Sequence, residues 1–93
     1  MNPLPMRLNT GEFLAETAHL RPDETGSYIR LLVHYWSRGG HLPADPMRLA
    51  NIANVPTDCW AAIAPALAAL FVVDGTGWRH ARLDRELANG RTS

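Results

Sequence analysis

The longest amphipathic segment of the sequence runs from Pro22 to Arg38. In a helix, its apolar side chains fill one arc that covers more than half of the circumference, which leaves only a narrow polar stripe. A helix with so wide an apolar arc must be covered on several sides, so this segment is predicted to be the central helix. The arc contains Tyr28, Ile29, Leu31, Leu32, Val33, Tyr35 and Trp36, and the stripe contains Asp23, Ser27, Arg30, His34, Ser37 and Arg38.

Residues at both ends of the central helix favour a helix boundary. Pro22 has the φ of a first helical turn, and Gly39-Gly40 can take the left-handed conformation that ends a helix. Gly26 lies at the edge of the apolar arc, which predicts a close crossing by another helix at that point.

A short helix is predicted before the central one. Two prolines disfavour a helix over residues 1–8, which are predicted to form an extended arm. Asn9 and Glu12 have the spacing of a capping box, which predicts a helix from Thr10 to His19. The apolar side chains that this helix should bury are Phe13 and Leu14.

Two further helices are predicted after a loop at residues 39–44. Asp45 suits the N-cap and Pro46 the first position of a helix from Met47 to Ala53. Asn54 tolerates a positive φ and can end that helix. The spacing from this helix to the next is that of a helix-turn-helix corner.

The second helix of this corner starts at Val55-Pro56 and extends to about residue 70 by its periodicity. Pro65 lies inside the pattern and is predicted to kink the helix or split it in two. Its buried face is predicted to contain Trp60, Ile63, Leu67 and Leu70.

The last third of the chain predicts a β-hairpin, with residues 71–73 and 78–81 on either side of a turn at residues 74–77. Residues 83–88 form a last short helix, and residues 89–93 are predicted to be a frayed tail. Helices that include a helix-turn-helix corner, followed by a hairpin, indicate a winged helix. The predicted fold class is therefore mainly α with a small two-stranded wing.

The composition predicts one domain, residues 1–93, because 46% hydrophobic residues suffice for one small core. We expect no membrane span and a cytoplasmic protein, because the sequence has neither an apolar run near 18 residues nor a secretory leader. Cys59 is the only cysteine, which excludes an internal disulfide. Nine basic and nine acidic residues cancel, and the only segment with a positive balance is residues 76–93.

Several motifs together resemble the N-terminal domain of the YdaU-like family of uncharacterised phage and prophage proteins. They are GEFLAETAHL, Glu24-x-Gly26-x-Tyr28, LL-x-HYW, Gly39-Gly40, Leu42-Pro43, Arg48-Leu49-Ala50, Trp60, Phe71, Asp74-Gly75 and Arg82-Leu83. The resemblance implies a winged-helix fold, a bacterial host, a link to replication initiation and no known catalytic residues. Glu16 stands where the family usually has Asp, and Arg21 where it usually has Ser or Thr. Family members also typically continue into a second region.

The outward face of the helix after Val55 is the first candidate site. Its side chains cannot pair with base edges, and Asp58 would repel phosphate, so reading of the major groove is disfavoured. Small side chains suit close contact with another protein, although a solvated helix surface also favours such residues. The face contains Asp58, Ala61, Ala62, Pro65 and Ala69.

The second candidate site is a positive cluster near the C-terminus, made of Arg79, His80, Arg82 and Arg85. It could contact nucleic-acid phosphate or an acidic partner, or it could be a solvated face that nearby acidic residues neutralise. Trp78 beside it could stack on a base, or it could pack the hairpin onto the helices.

We expect no cofactor, metal or small-molecule substrate, and no enzymatic activity. Glu16-x-x-His19 has the spacing of half a di-metal site but lacks a second copy, and Cys59 has no base beside it. The histidines and Cys59 also lack the spacing of zinc ligands.

These observations favour a non-catalytic winged-helix module that acts mainly through protein contacts, with a second copy or with a host or phage protein, in a replication-related nucleoprotein setting. One alternative is a DNA-binding protein that uses the arginine-rich wing. Another is a free-standing phage inhibitor that docks on a host defence complex, as an anti-CRISPR protein does, or on a replication complex.

Overall fold

The computed structural model describes Met6 and residues 8–92, with side chains described as far as Asn89. Most of the predicted extended arm at residues 1–8 therefore lies outside the described residues. The described part is mainly helical with one antiparallel hairpin, so the predicted fold class is confirmed at that level. Its elements are α1 Thr10–Thr17, α2 Pro22–Ser37, α3 Pro46–Ala53, α4 Thr57–Ala68, β1 Val72–Asp74, β2 Gly77–Arg79 and α5 Ala81–Thr92.

Helix α2 is the centre of the fold, as predicted. Its inward residues are almost fully buried, and Gly39 and Gly40 follow it with φ of 72° and 96°. The apolar arc is narrower than predicted, because Val33 is 52% exposed. The inward residues are Tyr28, Leu31, Leu32, Tyr35 and Trp36.

Two features of the first half of α2 correct the prediction. Ser27 is only 3% exposed, so it belongs to the buried face and not to the polar stripe. Gly26 is exposed, and a Cβ added there would have no atom within 4 Å, so no helix crosses closely at that point. Helix periodicity alone cannot locate neighbouring elements, which here cover one side of this turn and leave the other open.

The corner between α3 and α4 follows the prediction. Asp45 caps α3 by accepting a hydrogen bond from the Met47 amide, and Asn54 ends it with a φ of 62°. Trp60, Ile63 and Leu67 of α4 are buried. The predicted split at Pro65 is wrong, because α4 is one continuous helix through that residue. Pro65 is exposed there.

The hairpin is shorter than predicted. Its strands are three residues each, and Asp74 pairs with Gly77 across a two-residue loop. Phe71 and His80 lie just outside the strands and are buried. On its other side, β2 forms a bridge with Leu42, which is fully enclosed in the core.

The outer helices also differ in length from the prediction. Helix α1 ends at Thr17, whose hydroxyl donates to the Phe13 carbonyl, and Leu14 is 67% exposed instead of buried. Helix α5 extends to Thr92, so the end predicted at Ala88 is wrong. It packs Leu83 and Leu87 into the same core as α2. No helix in the described part of the chain is long and apolar enough to span a membrane.

Candidate binding surfaces

The outward face of α4 is open to solvent as the sequence predicts. All five predicted residues are exposed, while their neighbours Trp60, Ile63 and Leu67 face the core. Pro65 has no amide hydrogen, so it cannot donate the usual helical hydrogen bond to the Ala61 carbonyl. We call this surface the α4 face, and its residues are Asp58, Ala61, Ala62, Pro65 and Ala69.

At one end, the α4 face adjoins an exposed apolar side chain of β1, Val72. Ala69 and Val72 line one shallow cavity of about 380 Å³ at the C-terminal end of α4. Val73 follows in β1, and both valines are about half exposed. At the other end of α4, Ala62 lines a cavity of about 340 Å³ together with Cys59. Charged side chains also line both cavities, so the surroundings of the α4 face are mixed and not uniformly apolar. They are Glu16 and Arg82 in the first cavity and Arg21, Asp23 and Glu24 in the second.

The predicted positive cluster is largely neutralised in the structure. Arg79 pairs with Asp74 at 3.2 Å. Arg82 pairs with Glu12 at 2.9 Å and also with Glu16, and its side chain is only 18% exposed. The acidic partners of Arg82 come from α1, and the partner of Arg79 is the last residue of β1.

His80 cannot belong to an exposed contact surface, because it is 5% exposed. The Tyr28 hydroxyl donates its single proton to Glu16, so it must accept from His80 Nε2 at 3.0 Å. His80 Nδ1 accepts from the Leu83 amide at 3.4 Å. His80 is therefore neutral, with both ring nitrogens hydrogen-bonded inside the fold.

The pKa shifts of this cluster agree with a structural role. Burial lowers the pKa of His80, and the charge of Arg82 lowers it further. Burial raises the pKa of Glu16, but hydrogen bonds from Tyr28 and Arg82 outweigh burial, so this pKa lies below its ordinary value. Burial and the hydrogen bond to Glu16 raise the pKa of Tyr28. Each group thus keeps one protonation state near neutral pH.

A second buried tyrosine ties α2 to α5. The Tyr35 hydroxyl donates to Asp84, and burial together with this hydrogen bond raises the pKa of Tyr35 to about 12. Trp78 is buried against Trp60 and Phe71, with ring centroids 5.6 and 5.4 Å apart. Its role is to pack the hairpin onto the helices, and it is not available to stack on a base.

The Glu16-x-x-His19 spacing does not mark a metal site. Glu16 is bound by Tyr28 and Arg82, whereas His19 is exposed. Within the described ranges, no group of three or more His, Cys, Asp or Glu side chains could hold a metal ion.

A basic surface that the sequence analysis missed lies on α2 and α3. One cavity of about 390 Å³ is lined by basic side chains from α2, α3 and the loop between them. A second, of about 330 Å³, shares His34 with the first and adds Arg30. No acidic residue lines either cavity. We call this the α2–α3 basic surface, and its charged or titratable residues are Arg30, His34, Arg38, His41 and Arg48.

A local sequence signal could have revealed this surface. Residues 25–57 contain three arginines, two histidines and, as their only acidic residue, Asp45. A count over long segments assigns a positive balance only to residues 76–93 and hides this local excess of positive charge. In the described structure, none of the three arginines forms an ion pair.

Comparison with known proteins supports the family resemblance. The family model DUF1376, described as a protein of unknown function, matches residues 6–88. The chain is 38% identical over 92 residues to the uncharacterized protein YdaU of Escherichia coli strain K12. The aligned part is 98% of this chain and 32% of YdaU, so the chain spans about a third of the length of that relative. No solved structure matches.

Proposed function

This chain belongs to the DUF1376 family, and we propose that it is a non-catalytic binding module that acts mainly through protein contacts on the α4 face. The α4 face is exposed and apolar except for Asp58, and Ala69 at its end shares a cavity with the exposed Val72; this observation carries the proposal. From the sequence resemblance we take the setting, a phage or prophage nucleoprotein assembly linked to replication in a bacterial cytoplasm.

The chemistry of the α4 face favours a protein partner over nucleic acid. Alanine and proline side chains lose almost no conformational entropy when they are covered. They also allow another backbone to approach closely. Asp58 at one end repels phosphate but complements an Arg or Lys at the rim of a protein interface. We therefore interpret the order of a helix-turn-helix corner and a hairpin as a winged helix whose second helix contacts protein instead of DNA.

The buried polar groups support a non-catalytic role. Tyr28, His80 and Glu16 bond to one another, and Tyr35 bonds to Asp84. Each of these contacts joins different elements of the fold. A catalytic acid or base must exchange protons with a substrate, whereas these groups hold their protons in internal hydrogen bonds.

The test places a charge on the α4 face. Ala62→Arg and Ala69→Arg should leave the fold intact, because both side chains are exposed and Arg is a good helix former. They should abolish association, because a long charged side chain would be forced into a closely packed interface. Light scattering measures self-association. A pull-down from a host extract, with the purified parent or a purified variant as bait, shows which host proteins each of them retains.

Matched controls are Ala15→Arg in α1 and Ala88→Arg in α5, which add the same charge at other exposed alanines. They should behave as the parent protein does. If the α4 variants keep the oligomeric state and every partner of the parent, the α4 face is only a solvated helix surface.

The same experiment identifies the class of partner. A concentration-dependent dimer that the α4 variants lose identifies a second copy as the partner, through a two-fold interface. A monomeric parent that retains a host protein, which the variants release, identifies a heterologous partner. The prediction of a phage inhibitor belongs to this second outcome.

A further inference from the structure

We propose that the α2–α3 basic surface binds the phosphate backbone of a nucleic acid. This surface is separate from the α4 face, so the proposal stands independently of the proposed protein contacts.

The distribution of ion pairs favours the α2–α3 basic surface over the positive cluster that the sequence predicts near the C-terminus. Near the hairpin, Arg79 and Arg82 already have carboxylate partners. On α2 and α3, the exposed residues Arg30, Arg38 and Arg48 have no ion-pair partner in the described part of the chain. An unpaired guanidinium can give both of its parallel N–H donors to a phosphate without breaking an internal contact.

The spacing of the basic side chains fits a backbone better than a single anion. Arg30, His34 and Arg38 follow one another at four-residue intervals, so they lie along one side of α2 over about 12 Å. One phosphate cannot contact both ends of this row. A nucleic-acid strand rises only about 3.4 Å per nucleotide along its axis, so it presents about three phosphates over that distance.

The two cavities provide further donors beside this row. His41 and Asn51 line the larger cavity with Arg38 and Arg48. Ser37 lines the smaller one with Arg30. Hydroxyl, amide and imidazole donors beside arginines are the usual contacts to phosphate oxygens, and they position a protein without reading sequence.

The local field is positive in the absence of a ligand. Burial lowers the pKa of His34, and the charges of Arg38 and His41 lower it further. Asp45, the nearest acidic residue in sequence, caps α3 through the Met47 amide and forms no ion pair in the described structure. A negative backbone would therefore relieve repulsion among groups that now lack a counter-charge.

The test measures fluorescence anisotropy of a labelled duplex of about 20 base pairs, and of one of its strands, at about 50 mM salt. We expect the parent to bind at least one of them. Arg38→Gln plus Arg48→Gln should weaken binding about tenfold or more and reduce the slope of log affinity against log salt by about 2. Glutamine keeps the helix propensity, and a thermal melt verifies that the variant folds.

The matched control is Arg79→Gln plus Arg85→Gln, which removes the same charge from the hairpin and α5. It should weaken binding less than about threefold. Failure of the parent to bind either probe, or equal weakening by both pairs, would overturn the proposal.

Inorganic phosphate distinguishes a backbone site from a small-anion pocket. At matched ionic strength, phosphate should displace the labelled probe no better than chloride does. Displacement by low-millimolar phosphate would assign the surface to a small anion and overturn the backbone assignment.

Discussion

At the scale of single residues, Gly77 decides whether the hairpin can join the core. A Cβ added there would lie 2.1 Å from the Leu42 carbonyl oxygen, and its φ of +151° is strained for other residues. Because Leu42 bridges to Trp78, neither backbone can shift alone. Gly77→Ala should lower the free energy of unfolding by about 2–4 kcal/mol, which urea denaturation measures.

Gly75→Ala is the matched control in the same hairpin. A Cβ at Gly75 meets no atom within 4 Å, and its φ is not positive. Its effect should stay within about 0.5 kcal/mol. Equal stability of the two variants would show that β2 does not approach Leu42 as closely as described.

At the scale of elements, Trp60 anchors α4 to the rest of the fold. It is 2% exposed and packs on Trp78, so it holds the helix-turn-helix corner against the hairpin. Trp60→Ala should lower the free energy of unfolding by about 3–5 kcal/mol, because it leaves a cavity at this contact. Thermal and urea denaturation provide the measurement.

The neighbouring residue supplies the control for Trp60. Cys59 is exposed, so Cys59→Ala should change stability by less than about 0.5 kcal/mol. A Trp60→Ala protein that melts within a degree or two of the parent would contradict the inward face assigned to α4.

The elements that could be predicted from the sequence are those with local signals. Asp45, Asn54 and Gly39-Gly40 set helix ends through their own backbone preferences. The burial of α4 followed from its periodicity. The predictions for Leu14, Val33 and Ser27 are wrong: the first two are exposed and Ser27 is buried. A residue at the edge of a helical arc is buried only if another element covers it.

The neutralisation of Arg82 and the burial of His80 could not be predicted in the same way, because their partners are distant in sequence. Arg82 pairs with Glu16, which lies 66 residues earlier, and His80 meets Tyr28 from 52 residues away. A charge cluster in sequence is therefore a weak guide to a charged surface. Only the tertiary contacts show that Arg79 and Arg82 are paired and that, within the described part of the chain, the arginines of α2 and α3 form no ion pair.

At the scale of the whole molecule, the formal net charge is zero, but the charged side chains are unevenly distributed over the surface. Acidic residues gather against Arg79 and Arg82, whereas the α2–α3 basic surface has none lining its cavities. The α4 face carries a single charge, at Asp58. The two proposals together predict that one domain holds a protein on the α4 face and a nucleic acid on the α2–α3 basic surface.

The internal polar cluster predicts how stability depends on pH. Burial lowers the pKa of His80 from 6.5, so below that pH the unfolded chain binds a proton that the folded protein does not. The free energy of unfolding should therefore fall as the pH falls below 6.5. The pKa of Glu16 is lowered from 4.5, so the free energy of unfolding should decrease further as the pH falls below 4.5.

Urea denaturation of the parent and of His80→Gln between about pH 7 and pH 5 measures the contribution of His80 as the difference between their slopes. His80→Gln should be less stable than the parent at pH 7, because it disturbs the hydrogen bonds to Tyr28 and the Leu83 amide. Its stability should change less with pH, and the remaining slope includes His34, whose pKa burial also lowers. A His80→Gln slope as steep as that of the parent would show that His80 is protonated inside the fold.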